Sequence, residues 1–572
     1  AFDYEWTNKN LFFGTYTRTN SYFSNSELAA EGLPDTAELA LLEPYRGQVP
    51  DDVFAAEFVP LSRRQTILTM GGLMLALFVA SLDQTVVGTA IPRIVADLGG
   101  FDRFTWITSA YIVASTTAVP IIGRLSDMYG RKVFYIGGIV VFLVGSVLSG
   151  FSQSMNQLIA FRAIQGLGGG TMMALAFVTV GDLFPPADRG KYQGFVAAVF
   201  GLSSVIGPTL GGVITDTLSW NWIFFINLPI GIPVAILFVL FFPSGRQNVA
   251  SRRLDVVGMS LLVLSVSSLL VALSWGGVQY AWASVQVVGL LIIAVASTAT
   301  FVFVELRIAN PIMPMGIYRD RVVGLSLIAV FCTGFGMFGG IVFIPLFFQG
   351  VLGASATSSG SFLTPMMLGM VFGAMISGQT LSRLGGHYRT QGLIGLGIMA
   401  TGMFLLSGMT ATTSFGQAVV YLVITGFGIG TTFPTFTIAV QNAVPYSQLG
   451  VVTAANQFYR SIGGALGLAI LGSIMARRFT DGLDARISPD LRESVPAETL
   501  AGISNNPQAL VNPDALEELR ESVSPEIADQ LLDVLRSSLA TAIGDLFLIA
   551  MATALVALVA TAFLKETPLR DK

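Results

Sequence analysis

The chain has 572 residues, of which 53% are hydrophobic and only 12% are charged. Soluble domains carry about 25% charged residues, and so few charges cannot cover an apolar core of this size. The composition therefore excludes a soluble globular protein and predicts an all-α polytopic membrane protein. The formal net charge of −4 is small, so we expect no nucleic-acid partner. The only cysteine, Cys332, leaves no disulfide framework, and the only histidine, His387, lacks the companions that a metal site needs.

The first sixty residues differ from the rest of the chain. Residues 1–60 are polar and aromatic, contain no apolar run that could cross a membrane, and have no signal-peptide pattern. The strings "FDYEW" and "YTRTNSYFSNSELAAEGLP" resemble the C-terminal part of periplasmic peptide-binding proteins of the microcin-C-transporter type. A segment of about 60 residues cannot rebuild the core of such a two-lobed domain. We interpret it as a dispensable fusion remnant or gene-model join, with a functional cytoplasmic tail as the alternative.

From residue 66 onward, apolar runs alternate with short polar loops. A membrane-spanning helix needs about 20 mostly apolar residues. The sequence predicts fourteen such spans, at residues 66–92, 104–123, 133–151, 157–181, 192–214, 221–243, 255–274, 284–304, 322–350, 359–381, 392–409, 416–439, 450–475 and 540–564.

Lysine and arginine in the short loops predict the orientation of these spans. The short loops on one side hold Arg103 and, at a helix end, Arg93. The loops on the opposite side hold thirteen basic residues, which are Arg124, Arg131, Lys132, Arg189, Lys191, Arg246, Arg252, Arg253, Arg307, Arg319, Arg321, Arg383 and Arg389. We therefore expect the second set of loops and both termini to be cytoplasmic. Residues 476–539 then lie outside, and their apolar spacing predicts a short helical hairpin or cap.

A weak internal repeat divides the chain. The pattern Gly123-x6-Gly130 after the second span is echoed by Gly378-x6-Gly385 after the tenth. Two parallel six-span halves produce such an echo. We predict a polar N-terminal segment at 1–60, a first half at 61–243, two inserted spans with linkers at 244–320, and a second half at 321–572 that contains the insert 476–539.

The loop "GRLSDMYGRK", residues 123–132, is unusually charged for its surroundings. A tight turn favours glycine at Gly130, because glycine adopts positive φ, and the basic residues hold the loop in the cytoplasm. Neither role requires Asp127. This carboxylate can pair locally with Arg131, or it can accept hydrogen bonds from the free N–H groups at Gly450–Thr453, where span 13 begins, and so latch the two halves together. The candidate gate residues are Gly123, Asp127, Gly130, Arg131 and Lys132.

Charged residues within the spans are few and are therefore functional candidates. Asp83 in span 1 and Arg162 in span 4 lie at similar depth, so they can form either a proton-coupling pair or a static pair that joins the two helices. Burial opposes ionisation of a carboxylate, whereas a nearby guanidinium favours it. Gln165 shares a helix face with Arg162. Gln165 and Arg460 are candidates for the substrate cavity, and three partners remain open for Arg460, namely backbone carbonyls, a group across the cavity, or an anionic group of the substrate.

Several motifs in order carry a family resemblance. The loop 123–132 resembles the signature of the major facilitator superfamily, and "LDQTVVGTAIPRIVADL", "RAIQGLGGG", "GLSSVIGPTLGG" and "ELRIANPIMPMGIYRDR" resemble motifs of its fourteen-span drug:H⁺ antiporters. The resemblance covers about residues 62 to 475 and span 14. The chain departs from it at Gly88, where the family usually has Asn, and in lacking acids in spans 10 and 13, where some exporters of multicationic drugs carry them.

The resemblance implies a proton-coupled efflux antiporter of the bacterial inner membrane, and not an enzyme. It implies a hydrophobic or amphipathic small-molecule substrate, a proton gradient in place of a cofactor, a monomeric protein, and proton coupling by Asp83 and Arg162. The antiporter motif would bend and pack span 5, with a plain structural kink as the alternative, through Gly201, Gly207, Pro208, Gly211 and Gly212. A coupled importer of the same fold and a non-transporting binding or scaffold subunit are the rival functions.

Overall fold

The structure is a computed structural model that describes residues 62–100, 103–243, 254–277, 279–308, 310–354, 356–383, 385–495 and 523–569. Within these residues, fourteen helices are long and apolar enough to cross a membrane, as the sequence predicts. They are α1 Arg63–Leu98, α2 Thr105–Tyr129, α3 Arg131–Gly150, α4 Met155–Leu183, α5 Pro186–Thr217, α6 Trp222–Phe241, α7 Val256–Trp275, α8 Val285–Glu305, α9 Arg321–Gly350, α10 Ala356–Arg383, α11 Tyr388–Ser407, α12 Phe415–Ala443, α13 Leu449–Arg486 and α14 Pro525–Ala562.

Local sequence signals set the ends of several helices. Before α1, the Ser62 hydroxyl accepts a hydrogen bond from the Gln65 backbone N–H while the Gln65 side chain accepts one from the Ser62 N–H, which is a capping box. Ser414 and Gln417 repeat this arrangement at the start of α12. Gly130 ends α2 with φ 96° and leads directly into α3, a backbone conformation that glycine adopts without strain.

Helices α1–α6 and α9–α14 pack as two groups. In the first group, α2 and α3 pack against α4, and α1 packs against α5 and α6. In the second group, α10 and α11 pack against α12, and α9 packs against α13 and α14. The two remaining helices, α7 and α8, pack against each other, and α7 contacts α2 and α13.

The two groups meet through α5 with α10 and through α2 with α13. A Cβ atom added at Gly190 of α5 would overlap the Gly378 carbonyl of α10, and one added at Gly123 of α2 would overlap the Ala454 side chain of α13. These contacts lie at the helix ends that the sequence assigns to the cytoplasm. In this conformation the two groups are therefore closely joined at those ends.

The last two membrane helices are longer than predicted. Helix α13 continues to Arg486 and α14 begins at Pro525, whereas the predicted spans end at 475 and begin at 540. Phe479 and Leu483 of the first extension pack in one apolar cluster with Leu535 of the second. The prediction followed the apolar run, but helix formation continues through polar sequence because one face stays apolar. The predictions for residues 1–60 and for the middle of the insert, 496–522, lie outside the described residues.

Candidate functional site

Asp83 of α1 and Arg162 of α4 are in direct contact. The Arg162 Nη1 donates to the Asp83 Oδ2 at 2.6 Å and to the Gln165 Oε1 at 2.7 Å. Its Nε donates to the Ile107 carbonyl oxygen of α2 at 3.2 Å. Asp83 and Arg162 are each only 1% exposed. Asp83 and Arg162, which residue counting predicts to lie at similar depth, are thus within hydrogen-bond distance in the fold.

Two further side chains, which the sequence analysis missed, complete the network. The Asn227 Nδ2 of α6 donates to the Asp83 Oδ1 at 3.0 Å and to the Ser146 Oγ of α3 at 2.9 Å. Gln165 donates through Nε2 to the same two acceptors, at 2.8 Å and 3.1 Å. Asn227 is the one polar residue in "WIFFINLPIGIPVAILFVLF", and that isolation was the available signal. The Asp83 carboxylate thus accepts hydrogen bonds from three side chains.

The glycines of α4 bring the helices of this network close together. A Cβ atom at Gly166 would lie 2.5 Å from the Tyr111 carbonyl oxygen of α2, so only glycine permits this approach. The Arg162 guanidinium carbon lies 4.4 Å from the centroid of the Tyr111 ring and 5.7 Å from that of Phe224. Aromatic faces stabilise a desolvated guanidinium. The string "RAIQGLGGG" therefore supplies both the cation and the close packing that buries it.

Gln165, predicted as a residue of the substrate cavity, is buried in this conformation, and its place in that cavity stays a prediction. Its side chain is fully buried and both ends of its amide are hydrogen-bonded to Asp83, Arg162 and Ser146. It belongs to the carboxylate network. Residues on one helix face can point into the protein or into a cavity, and sequence spacing does not distinguish the two.

The charged loop between α2 and α3 forms a second cluster. The Asp127 Oδ2 accepts a hydrogen bond from the Val451 backbone N–H, at the start of α13, at 3.0 Å. Asp127 also forms an ion pair with Arg131. The structure therefore contains both partners that the sequence left open. Arg131 in turn donates through Nε to the Asp182 Oδ2 of α4 at 2.8 Å, a partner that the sequence analysis missed.

The remaining gate residues take structural positions around this cluster. Gly123 packs against Gly450 and Ala454 of α13, where a side chain would collide. Gly130 makes the turn, and Lys132 is partly exposed at the start of α3. Of these, Gly123 is a contact between the two helix groups, whereas the Arg131 ion pairs remain within one group.

The glycine motif of α5 packs this helix between α1 and α10. A Cβ atom at Gly207 would overlap Thr85 of α1, and one at Gly211 would collide with Val86 and Thr89 of the same helix. On the other side, a Cβ atom at Gly201 would lie 2.7 Å from the Val371 side chain of α10. Two motif residues have other surroundings, because Gly212 faces open space and Pro208 lies inside the helix.

Arg460 of α13 is buried in the second helix group. It is 3% exposed, and its guanidinium carbon lies 3.8 Å from the centroid of the Phe433 ring of α12. Among the described residues, none accepts a hydrogen bond from its Nε or Nη1. The structure therefore supplies a stacking partner but leaves the Nε and Nη1 donors of this cation without acceptors among the described residues.

Comparisons with known proteins identify the family. The sequence model of the Major Facilitator Superfamily matches residues 73–468 of this chain. The chain is 40% identical over 477 residues to the multidrug transporter protein MdtP of Bacillus subtilis (strain 168), covering 82% of this chain and 87% of that protein. It is also 40% identical over 417 residues to multidrug resistance protein 3 of the same organism, covering 73% of this chain and 81% of that protein.

A solved structure supports the fold. The crystal structure of the human organic anion transporter MFSD10 (TETRAN) matches with a TM-score of 0.54, covering 86% of this chain and all of that one. Its sequence identity is 15%, so this similarity concerns the fold alone. The family match over residues 73–468 and the two relatives at 40% identity show that this chain belongs to the Major Facilitator Superfamily and is a membrane transporter rather than an enzyme.

Proposed function

We propose that this transporter is a proton-coupled antiporter that exports hydrophobic or amphipathic drugs from bacteria. It works as a monomer in the inner membrane, with both termini in the cytoplasm, and the proton gradient is its only energy source. Two relatives at 40% identity named as a multidrug transporter and a multidrug resistance protein support the drug substrates. The basic loops support the orientation, because lysine and arginine accumulate on the cytoplasmic side.

The observation that carries this proposal is the buried contact between Asp83 and Arg162. Burying an ionised carboxylate within a membrane protein is costly unless a cation and hydrogen bonds offset the lost hydration. Arg162 supplies the cation, and Gln165 and Asn227 supply further hydrogen bonds. Protonation of Asp83 neutralises the carboxylate and so removes its charge from the pair with Arg162. A proton therefore weakens the link between α1 and α4, and its release restores that link.

This switch acts together with the contacts between the two helix groups. When the groups are joined at the cytoplasmic ends, as Asp127 and Val451 are here, the outer ends are the ones free to separate. A proton from outside then reaches Asp83 and weakens its pair with Arg162. The transporter reopens toward the cytoplasm, releases the proton and takes up drug. This order of events couples inward proton movement to outward drug movement.

The test uses purified transporter in liposomes with an imposed pH gradient. Asp83→Asn cannot release a proton, so we expect it to abolish drug accumulation driven by the gradient and drug-induced proton release. Counterflow of drug without net proton movement should persist. The matched control is Asp216→Asn, which removes an acid that is 74% exposed at the end of α5. If Asp83→Asn still accumulates drug against its gradient, the coupling group lies elsewhere.

A further inference from the structure

Two neighbouring side chains of α13 leave buried donors without acceptors. Arg460 is 3% exposed and Asn456 is 2% exposed. The Arg460 Nε and Nη1 and the Asn456 Nδ2 donate no hydrogen bond to any of the described residues. The two residues are four positions apart on one helix, so they share a face. Most buried polar groups in native proteins have partners, so three unpaired donors at one place require an explanation.

The surroundings of Arg460 orient it without neutralising it. The Phe433 ring lies against the flat face of the guanidinium, at 3.8 Å from its central carbon. Stacking occupies the face and leaves the N–H groups free, because these point outward in the guanidinium plane. None of the described acidic residues forms an ion pair with Arg460. An uncompensated cation within a membrane protein is costly and usually marks a functional position.

The chemistry of these donors selects the ligand. Arg460 and Asn456 offer a positive charge and N–H donors that lack acceptors. A cationic ligand would be repelled, and an apolar ligand would leave the donors unsatisfied. A carboxylate neutralises the positive charge and accepts from the donors, because its two oxygens match the forked N–H groups of a guanidinium. The neighbouring Phe433 ring suits an apolar or aromatic body attached to that carboxylate.

We propose that Arg460 and Asn456 form the binding site for the carboxylate of an amphipathic organic anion that this transporter exports. This inference rests on the proposed efflux function and names one substrate class for it. The site lies in the second helix group, whereas the Asp83 network lies in the first, so the proton and the substrate occupy different groups.

The position of the site along α13 links it to the opening of the transporter. Gly450 and Ala454 of the same helix contact Gly123 of α2 in the other group. Asn456 follows Ala454 by two residues along α13. These contacts at the cytoplasmic end must separate when the transporter opens toward the cytoplasm. Separation admits water and the carboxylate to a site that is closed in this conformation, as capture of an exported substrate from the cytoplasm requires.

Three fluorescent probes of similar size test the assignment, namely pyrenebutyrate, its primary amide, and a quaternary ammonium analogue. Binding to the purified full-length protein in detergent is measured by the change in pyrene emission, which needs no proton gradient. We expect the parent to bind pyrenebutyrate at least tenfold more tightly than the amide. Arg460→Gln should remove that preference, leave binding of the amide within twofold, and not weaken binding of the ammonium probe, because the repelling charge is gone. Arg460→Lys should retain part of it, because lysine keeps the charge but lacks the fork.

Asn456 and a surface arginine provide the second variant and the control. Asn456→Asp places a negative charge beside Arg460, so it should weaken pyrenebutyrate binding at least tenfold without weakening that of the ammonium probe. Arg93→Gln removes an arginine whose side chain is 68% exposed, and it should change nothing. Thermal unfolding in detergent confirms that each variant is folded.

Two outcomes would overturn the carboxylate site. One is a parent protein that binds the acid no more tightly than the amide. The other is an Arg460→Gln variant that weakens all three probes equally, or none, which would assign Arg460 a structural role. Binding in detergent does not depend on coupling, so a failure of the proton antiport proposal would appear separately, in the liposome measurement with Asp83→Asn.

Discussion

Asp127→Asn tests whether the charged loop latches the two helix groups. Asp127 makes two kinds of contact, and only one of them breaks when the groups separate. Its ion pair with Arg131 lies within the first group, whereas its hydrogen bond from the Val451 N–H, at 3.0 Å, crosses to the second. The substitution keeps an oxygen that can accept this bond but removes the charge. Asp127 is 1% exposed, so solvent screens this loss little.

The magnitude follows from the crossing contact alone. A negative charge at a helix N-terminus contributes about 0.3–2 kcal/mol, and a hydrogen bond to a charged group exceeds a neutral one by roughly 1 kcal/mol. Both figures describe the same charge acting on the same N–H groups, so they are not added, and we take about 1–2 kcal/mol, which corresponds to about a 5–30-fold change in the ratio of the two conformations. We therefore expect Asp127→Asn to increase the cytoplasm-open population by this factor, to slow transport, and to leave substrate affinity nearly normal.

Spin-label distance measurements detect this shift. With Cys332→Ala removing the only native cysteine, labels at Arg64 and Arg389 report on exposed helix starts, one in each group. The Asp127→Asn variant should populate longer distances than the parent. The matched control is Asp188→Asn, which removes an exposed acid from the first turn of α5. Identical distance distributions in Asp127→Asn and the parent would refute the latch, as would an equal shift in the control.

Four further predictions follow from the structure. Arg162→Lys should retain only part of the gradient-driven transport, because lysine keeps the charge but cannot reach both Asp83 and the Ile107 carbonyl, and Arg162→Ala, which removes the charge, should retain none; equal rates in the two variants would contradict this. Asn227→Leu should lower the free energy of unfolding by about 1–3 kcal/mol, since it removes a donor to a buried carboxylate; an unchanged denaturation midpoint would argue against the network. Gly190→Val should force α5 and α10 apart and abolish transport at normal membrane abundance, whereas Gly212→Val on the same helix, which faces open space, should be tolerated; similar effects in both would contradict the contact. A chain that starts near Pro60 should insert and transport like the full one, and loss of transport at equal abundance would show that residues 1–60 have a function.

The sequence could predict part of the candidate site because depth along a span is readable from residue counting. Asp83 and Arg162 fall at similar depth when each span is measured from its own end, and the fold brings them to 2.6 Å. The partners of Asn227 and Ser146 escaped prediction because a single amide or hydroxyl in an apolar run does not show which side chains of other helices it contacts. Asp182 was missed for the same reason, since only the packing of α3 against α4 places it beside Arg131.

Composition and the apolar runs predicted the class of protein and the number of spans, and the ordered motifs indicated the family. A bilayer requires a minimum length of apolar residues in every crossing helix, and these residues are consecutive in the sequence, so each span can be recognised without knowledge of the fold. Which polar groups meet depends on the packing of the helices. Gln165 is hydrogen-bonded within the Asp83 network, and Arg460 stacks on Phe433 with its Nε and Nη1 unpaired among the described residues. Hydrogen bonds act over about 3 Å. They therefore depend on how the helices rotate and pack against each other, and a stretch of sequence within one helix does not contain that information.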